Sequence, residues 1–189
     1  MALNDVALCT RALIRLGAAP ITSFEDGTAE SEIAGALYVP VCDALLSSYR
    51  WSFATGQIKL TALSESPIAD YEYAFQLPVD FLTAISCGTG AKGLGVNYRI
   101  TQGQLHCDYD AVTLTYIYRP DEEAFPPFFD AAVIARLSAE FCIPITESTS
   151  RAEALFRISE DEFARARQID AQQQSPNYIQ DFTLIDIRD

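Results

Sequence analysis

The sequence predicts an α+β fold, in which a small antiparallel β-sheet is inserted into a core resembling a four-helix bundle. In the first and last parts of the chain, apolar residues recur at helical spacing. Between about residues 71 and 119 they alternate with polar residues instead, which is typical of half-buried strands. The 189 residues suit one domain, so we expect a single domain over residues 1–175 and a C-terminal tail over 176–189.

Two helices are predicted before the sheet. The first runs from about residue 3 to 16, where Asn4 or Asp5 can cap its N-terminus. The second runs from about 29 to 49. Pro40 lies inside it and lacks a backbone N–H, so we expect a kink or a short break there.

The β insertion is predicted from alternating runs. One run extends from Tyr71 to Leu77 and stops at Pro78. Another contains a turn at Gln102 and Gly103. The last places four apolar side chains on one face: Val112, Leu114, Tyr116 and Tyr118.

Two further helices follow the sheet. The third is expected over about residues 127–142, closed by Pro144. The fourth is expected over about 150–173 and opens with a capping box formed by Ser150 and Glu153. The tail beyond it is β-prone, and it either adds a strand to its own sheet or docks on a partner, of which we favour the partner. Its apolar residues are Tyr178, Ile179, Phe182, Leu184, Ile185 and Ile187.

Charge is the strongest signal in the composition. Lys and Arg number 13 against 26 Asp and Glu, which gives a net charge of -13. Such a surface repels nucleic acid and anionic membranes. No apolar run is long enough to predict a spanning helix, and the N-terminal residues do not match a signal peptide.

The five cysteines are odd in number, widely spaced and without a C-x-x-C pair, so we expect small core residues in a reducing compartment. They are Cys9, Cys42, Cys87, Cys107 and Cys142.

A glycine-rich stretch spells G-x-G-x-x-G, the pattern of loops that bind a dinucleotide. It comprises Gly88, Gly90 and Gly93, followed by Gly95, with Lys92 inside it. A dinucleotide loop leads from a strand directly into a helix, whose N-terminal amides bind the phosphates. Here the following residues alternate as a strand does, so we favour a loop joining two strands and leave a nucleotide-binding enzyme as the alternative.

No residue is predicted to be catalytic, to bind a cofactor or to ligate a metal. His106 is the only histidine, and its neighbour Cys107 would point to the opposite face of a strand. The grouped carboxylates lie in polar surroundings and are predicted to be surface residues. These groups are Glu25 and Asp26, then Asp121, Glu122 and Glu123, then Glu160, Asp161 and Glu162.

Aromatic residues concentrate in the stretch from Tyr49 to Ala54, which contains the only tryptophan, Trp51. Buried aromatic side chains contribute much apolar area, so we favour a core anchor at the end of the second helix. An interface anchor is the alternative.

Four segments occur in an order and spacing that resemble a known family. They are "LCTRALIRLGAAPITSFEDGTAES", "LLSSYRWSFAT", "YEYAFQLPVDFL" and "LTYIYRP…FPPFFDAAVIARLSAEFCIPIT". Together they resemble the head-to-tail adaptor proteins of tailed bacteriophages, the tail-tubular-protein-A-like group, which has relatives in gene transfer agents. The resemblance covers about residues 3–175.

The resemblance implies a non-enzymatic protomer of a homo-oligomeric ring, typically of twelve copies. The ring lies beneath the portal in the neck of a phage-like particle assembled in the bacterial cytoplasm. It continues the DNA channel and connects to a stopper or tail component. Signature positions without a catalytic role match Trp51, Phe53, Leu77, Pro78 and Asp80.

In such proteins the C-terminal segment reaches the portal, which here would be the apolar residues of the tail given above. The glycine-rich loop is then expected to contact the next layer of the neck. An acidic channel fits DNA that must slide without being bound. A neck stopper or tail terminator is an alternative of the same structural class.

Overall fold

The computed structural model describes residues 3–90 and 93–173, and it confirms the predicted α+β fold class. The helices are α1 (Asp5–Leu16), α2 (Ala29–Ser47), α3 (Pro127–Thr146) and α4 (Thr149–Ala171). The strands are β1 (Thr55–Thr61), β2 (Tyr73–Gln76), β3 (Phe81–Gly88), β4 (Arg99–Thr101), β5 (Gln104–Cys107) and β6 (Ala111–Tyr118).

The central helix of the helical unit is α3, which packs against α1, α2 and α4. Local signals set the ends of α1. The Asn4 side chain accepts a hydrogen bond from the backbone N–H of Ala7 at 2.9 Å, as the sequence predicts for an N-cap. Gly17 ends the helix with a φ of 77°, a conformation that glycine adopts without steric cost.

Two helix predictions are wrong in detail, and a third holds at most in part. The third helix does not close at Pro144, since α3 continues through it to Thr146. At Pro40, α2 continues without a break, so only the predicted kink stays a prediction. A proline costs one backbone hydrogen bond, and burial of other residues of the two helices, such as Cys42 and Cys142, outweighs that cost. The N-cap of α4 is Ser148 rather than Ser150, because the Ser148 hydroxyl accepts from the N–H of Arg151 at 3.4 Å.

The β insertion forms two three-stranded antiparallel sheets rather than one. Their strand orders are β1-β6-β3 and β2-β5-β4. The insertion also begins earlier than the predicted residue 71, because β1 already starts at Thr55. This strand pairs on one side with β6 and has few apolar residues, so its alternation is weak in the sequence. The predicted turn between β4 and β5 is present, with φ angles of 52° at Gln102 and 74° at Gly103.

The two regions share β6, whose faces contact different cores. Val112 and Leu114 are buried in a cluster between the two sheets, together with Phe75 and Leu105. Ile117 points to the other face and belongs to the helical core. One face of the first sheet therefore packs against the helices near the Ile117 end of β6. The opposite face packs against the second sheet.

Candidate functional site

Trp51 lies at the centre of an aromatic cluster in the helical core. Its ring centroid is 5.0 Å from that of Phe129 on α3 and 5.7 Å from that of Phe163 on α4, both edge to face. Its indole N–H donates to the carbonyl of Leu45 at 3.0 Å. Phe53 is partly buried against the same rings. Because Trp51 is fully buried within the chain, its position favours the core interpretation over the interface one.

The signature residues between β2 and β3 tie this turn to β6. Leu77 is buried in the β cluster and Pro78 is half-buried beside it. The Asp80 carboxylate accepts the Tyr116 hydroxyl at 3.3 Å, and the Asp80 carbonyl accepts the N–H of Arg119 at 2.9 Å. Burial, followed by the charge of Asp80, raises the pKa of the Tyr116 hydroxyl. The turn therefore has a structural role inside the chain.

The glycine-rich loop joins two strands, as predicted. Gly88 ends β3 and forms a bridge with Gly95, and the N–H of Val96 donates to the carbonyl of Cys87 at 3.0 Å. The chain then continues to β4. In the part of the loop that the structure describes and up to β4 there is no helix, so the helix N-terminus that a dinucleotide loop uses is lacking there. Lys92 lies outside the described residues.

Part of this loop is fixed against the polar face of the first sheet. The Ser86 hydroxyl donates to the carbonyl of Gly93 at 2.7 Å. A Cβ atom at Gly93 would lie 2.9 Å from Nε2 of Gln57 and 2.9 Å from Oγ1 of Thr115. Gly90 differs, since its φ is 63° and a Cβ there would meet open space. Close packing requires glycine at 93, whereas the backbone conformation requires it at 90.

A polar network at the junction holds the β insertion on α2. Arg119, just after β6, forms an ion pair with Asp43 and lies 3.5 Å from Glu122. The Tyr38 hydroxyl donates to Glu122 at 2.9 Å. Burial alone would lower the pKa of Arg119, but Asp43 and the other acidic groups around it raise that pKa. Glu122 is thus a half-buried structural acceptor, so its prediction as a solvated surface carboxylate is wrong.

A buried carboxylate fixes the end of α4. Asp170 is 1% exposed, and its oxygens accept the backbone N–H of Ser52 at 3.0 and 3.1 Å and its hydroxyl at 2.6 Å. Hydrogen bonds to an ionised group compensate for the loss of water around it. The last turn of α4 is consequently attached to the loop that follows α2.

The candidates for nucleophilic or metal chemistry are dispersed. All five cysteines are buried and free, as the core prediction requires. Burial raises the pKa of the Cys9 and Cys42 thiols to about 12 and that of Cys87 to about 11, so these three are not thiolates at neutral pH. His106 and Cys107 point to opposite faces of β5, as expected. Among the described residues, no three His, Cys, Asp or Glu side chains are grouped to hold a metal ion.

A cavity with both apolar and polar lining opens between α2, α3 and α4, with a volume of about 450 Å³. We term it the α2–α4 groove. Arg136 lies at its side, where its Nε contacts Glu140 at 2.9 Å and a terminal nitrogen contacts Glu160 at 3.1 Å, so its charge is already paired. The apolar lining comes from α2 and α4: Pro40, Val41, Ala44, Leu45 and Phe163.

A second, polar cavity lies between the loop from Leu63 to Tyr71 and the β4–β5 hairpin. Arg99 forms an exposed ion pair with Asp70 at 2.7 Å and lies over the ring of Tyr71. The cation in this cavity therefore already has a partner within the chain.

Three features escape sequence reasoning: the junction network, the contact of Asp170 with Ser52, and the α2–α4 groove. The first two join residues far apart in the chain and leave no local pattern. The groove does have a signal in the sequence, because α2 has only one charged residue, Asp43, after its acidic first turn. The predicted portal-interface residues of the tail, from Tyr178 to Ile187, lie outside the described residues.

In residues 3–90 and 93–173, no helix is both long enough and apolar enough to cross a membrane. No protein-family model and no curated protein matches this sequence.

Proposed function

We propose that this chain is a structural head-to-tail adaptor of a phage-like particle. It forms a ring under the portal, continues the DNA channel and connects to the tail. The observation that carries the proposal is the ordered set of adaptor-like segments. In the structure these segments contain most of α1, Trp51 and Phe53, the turn between β2 and β3, and α3. They contribute to the helical core, and they include Asp80 and Arg119, whose backbones join that turn to the end of β6.

The net charge of -13 supports a channel role. Duplex DNA binds non-specifically to proteins through cations that neutralise its phosphates. An acidic ring offers few such cations, so DNA passes without being held. A ring of this kind forms when two different surfaces of one protomer meet head to tail and the rotation closes.

Imaging of particles that carry a labelled copy of the chain tests the proposal. The label is expected in the ring that directly contacts the portal. A label in the next ring below the portal would show a stopper or terminator instead. Absence of the label from the neck would overturn the structural proposal altogether.

Calorimetric titration with ATP and with NAD tests the enzyme alternative. We expect no binding to the wild type. Binding that is lost in Gly90→Val would favour the enzyme. Gly27→Val is the matched control, because Gly27 also has a positive φ, 69°, and open space around its Cβ position.

Deletion of residues 178–189 tests the predicted portal contact. The truncated chain is expected to keep its helical circular dichroism and to lose attachment to portal-bearing heads. Attachment equal to that of the full chain would refute the role of these residues.

A further inference from the structure

After its acidic first turn, helix α2 is largely apolar, although one of its sides faces away from the core. From Gly35 to Ser48 its only charged residue is Asp43, whose carboxylate is paired with Arg119. A helix at a protein surface normally presents charged and polar side chains to water. The exposed side of α2 instead carries apolar residues, as a helix surface buried against another segment does. These residues are Ala36, Val39, Pro40 and Ala44.

This exposed side is continuous with the α2–α4 groove. Pro40 and Ala44 belong to both, and Phe163 forms the opposite wall on α4. Val39 is 48% exposed beside them. Together they form an apolar strip along α2 that borders the groove, and an apolar strip of this kind can bind an apolar segment. The remaining lining of the groove is polar: Ser48, Arg136, Glu140, Ser159 and Glu160.

We propose that the apolar part of the C-terminal segment, Tyr178–Ile187, covers the α2–α4 groove of its own chain in the free protein. The inference does not depend on the proposed function, because it concerns the chain before any partner is bound.

The position of the end of α4 supports this occupant. Asp170 is held to Ser52, so the chain leaves α4 beside the C-terminal end of α2. Phe163 precedes Gln173 by ten residues, which is about 15 Å along a helix. The five residues from Gln173 to Tyr178 span about 17 Å at full extension. The apolar run therefore begins within reach of the groove.

The length of the segment also matches the surface. Ten residues from Tyr178 to Ile187 reach about 33 Å when extended, and the 19 residues of α2 measure about 28 Å. Six of those ten residues are apolar, counting Tyr178. One copy of the segment is thus long and apolar enough to cover the groove and the exposed side of α2.

Hydrogen–deuterium exchange on the full chain tests the proposal, with two α2 variants. In the wild type, the amides of residues 178–187 are expected to exchange about ten-fold or more slowly than free peptide. Ala44→Glu places a charge in the groove and is expected to return these amides to the free-peptide rate. Ala29→Glu is the matched control, since Ala29 is an exposed alanine at the start of α2 outside the groove, and should behave as the wild type.

Free-peptide exchange of residues 178–187 in the wild type would overturn the proposal. Protection that disappears on dilution would also overturn it, by showing that the segment covers a second copy. Protection that persists in folded Ala44→Glu would place the segment elsewhere. If Ala44→Glu does not fold, the double variant Phe182→Asp and Leu184→Asp serves instead, and it should speed exchange of α2 residues 39–48.

Discussion

The helical unit and the β insertion are stabilised in different ways. The helical unit buries large aromatic rings around Trp51. The β insertion has a smaller cluster between two short sheets, and close approaches such as that of Gly93 to Gln57 and Thr115 shape its outer face. The stability of the helical unit therefore depends mainly on buried side-chain volume, whereas that of the β insertion depends in part on how closely its backbone packs at turns and loops.

Removal of the Trp51 side chain is expected to have the largest effect. Trp51→Ala should lower the free energy of unfolding by about 3–5 kcal/mol, because it empties the centre of the aromatic cluster and leaves a cavity. Urea unfolding followed by far-ultraviolet circular dichroism measures the change.

Phe75→Ala provides the counterpart in the β cluster, since Phe75 is also fully buried. Hydrogen exchange should show the larger loss of protection in the helices for Trp51→Ala and in the strands for Phe75→Ala. Equal losses of protection in both regions for both variants would show that the two clusters unfold as one unit. The two regions would then not be stabilised independently.

Asp170→Ala is expected to have the next largest effect. It removes an acceptor of three hydrogen bonds and leaves the Ser52 N–H without that partner, which should cost about 2 kcal/mol of unfolding free energy. Ser52→Ala loses only the hydroxyl contact and should cost about 1 kcal/mol. A smaller cost for Asp170→Ala than for Ser52→Ala would contradict this role of the carboxylate.

Gly93→Ala tests whether close backbone packing stabilises the β insertion. The added methyl would meet Gln57 and Thr115 at 2.9 Å, so we expect a loss of about 1 kcal/mol, partly recovered by Gln57→Ala in the same chain. Gly35→Ala is the control. Its Cβ would touch Phe24 at an ordinary 3.6 Å, and alanine favours helix, so stability should rise. A neutral Gly93→Ala would mean that the loop is not fitted to the sheet.

Sequence reasoning succeeded where the cause is local. The cap of α1, the turn at Gln102 and Gly103, and the strand that follows the glycine-rich loop all depend on neighbouring residues. It failed for β1, whose partner β6 lies far along the chain, with Thr55 opposite Ile117. Pairing over such a distance has no signature in a short window of sequence.

The candidate site, too, could be predicted only where its cause is local in the sequence. The alternation after Gly95 predicts that the glycine-rich loop leads into a strand. The ion pair of Asp43 with Arg119 joins residues 76 positions apart, and the contact of Ser52 with Asp170 spans 118. An exposed carboxylate and a buried structural one look alike in sequence, because only the fold decides which donors surround them.

Asp130→Asn is expected to have the smallest effect, and it depends on pH. One carboxylate oxygen of Asp130 is buried without a hydrogen-bond partner among the described residues, and burial raises the pKa of this group, with Arg11 opposing the shift. Between the unfolded and folded pKa values the folded state binds more protons, so this group lowers stability as the pH rises through that range. Asp130→Asn should therefore have a higher free energy of unfolding than the wild type at neutral pH. This gain should be smaller at about pH 3.5, which lies below the pKa of Asp in the unfolded chain. The gain stays small because Asp130 lies in the first turn of α3, where the helix dipole favours a negative charge.

Urea midpoints at both pH values measure the change in stability. Asp161→Asn is the control, because Asp161 is an exposed carboxylate on α4. A gain that is the same at both pH values would show that ionisation of Asp130 plays no part.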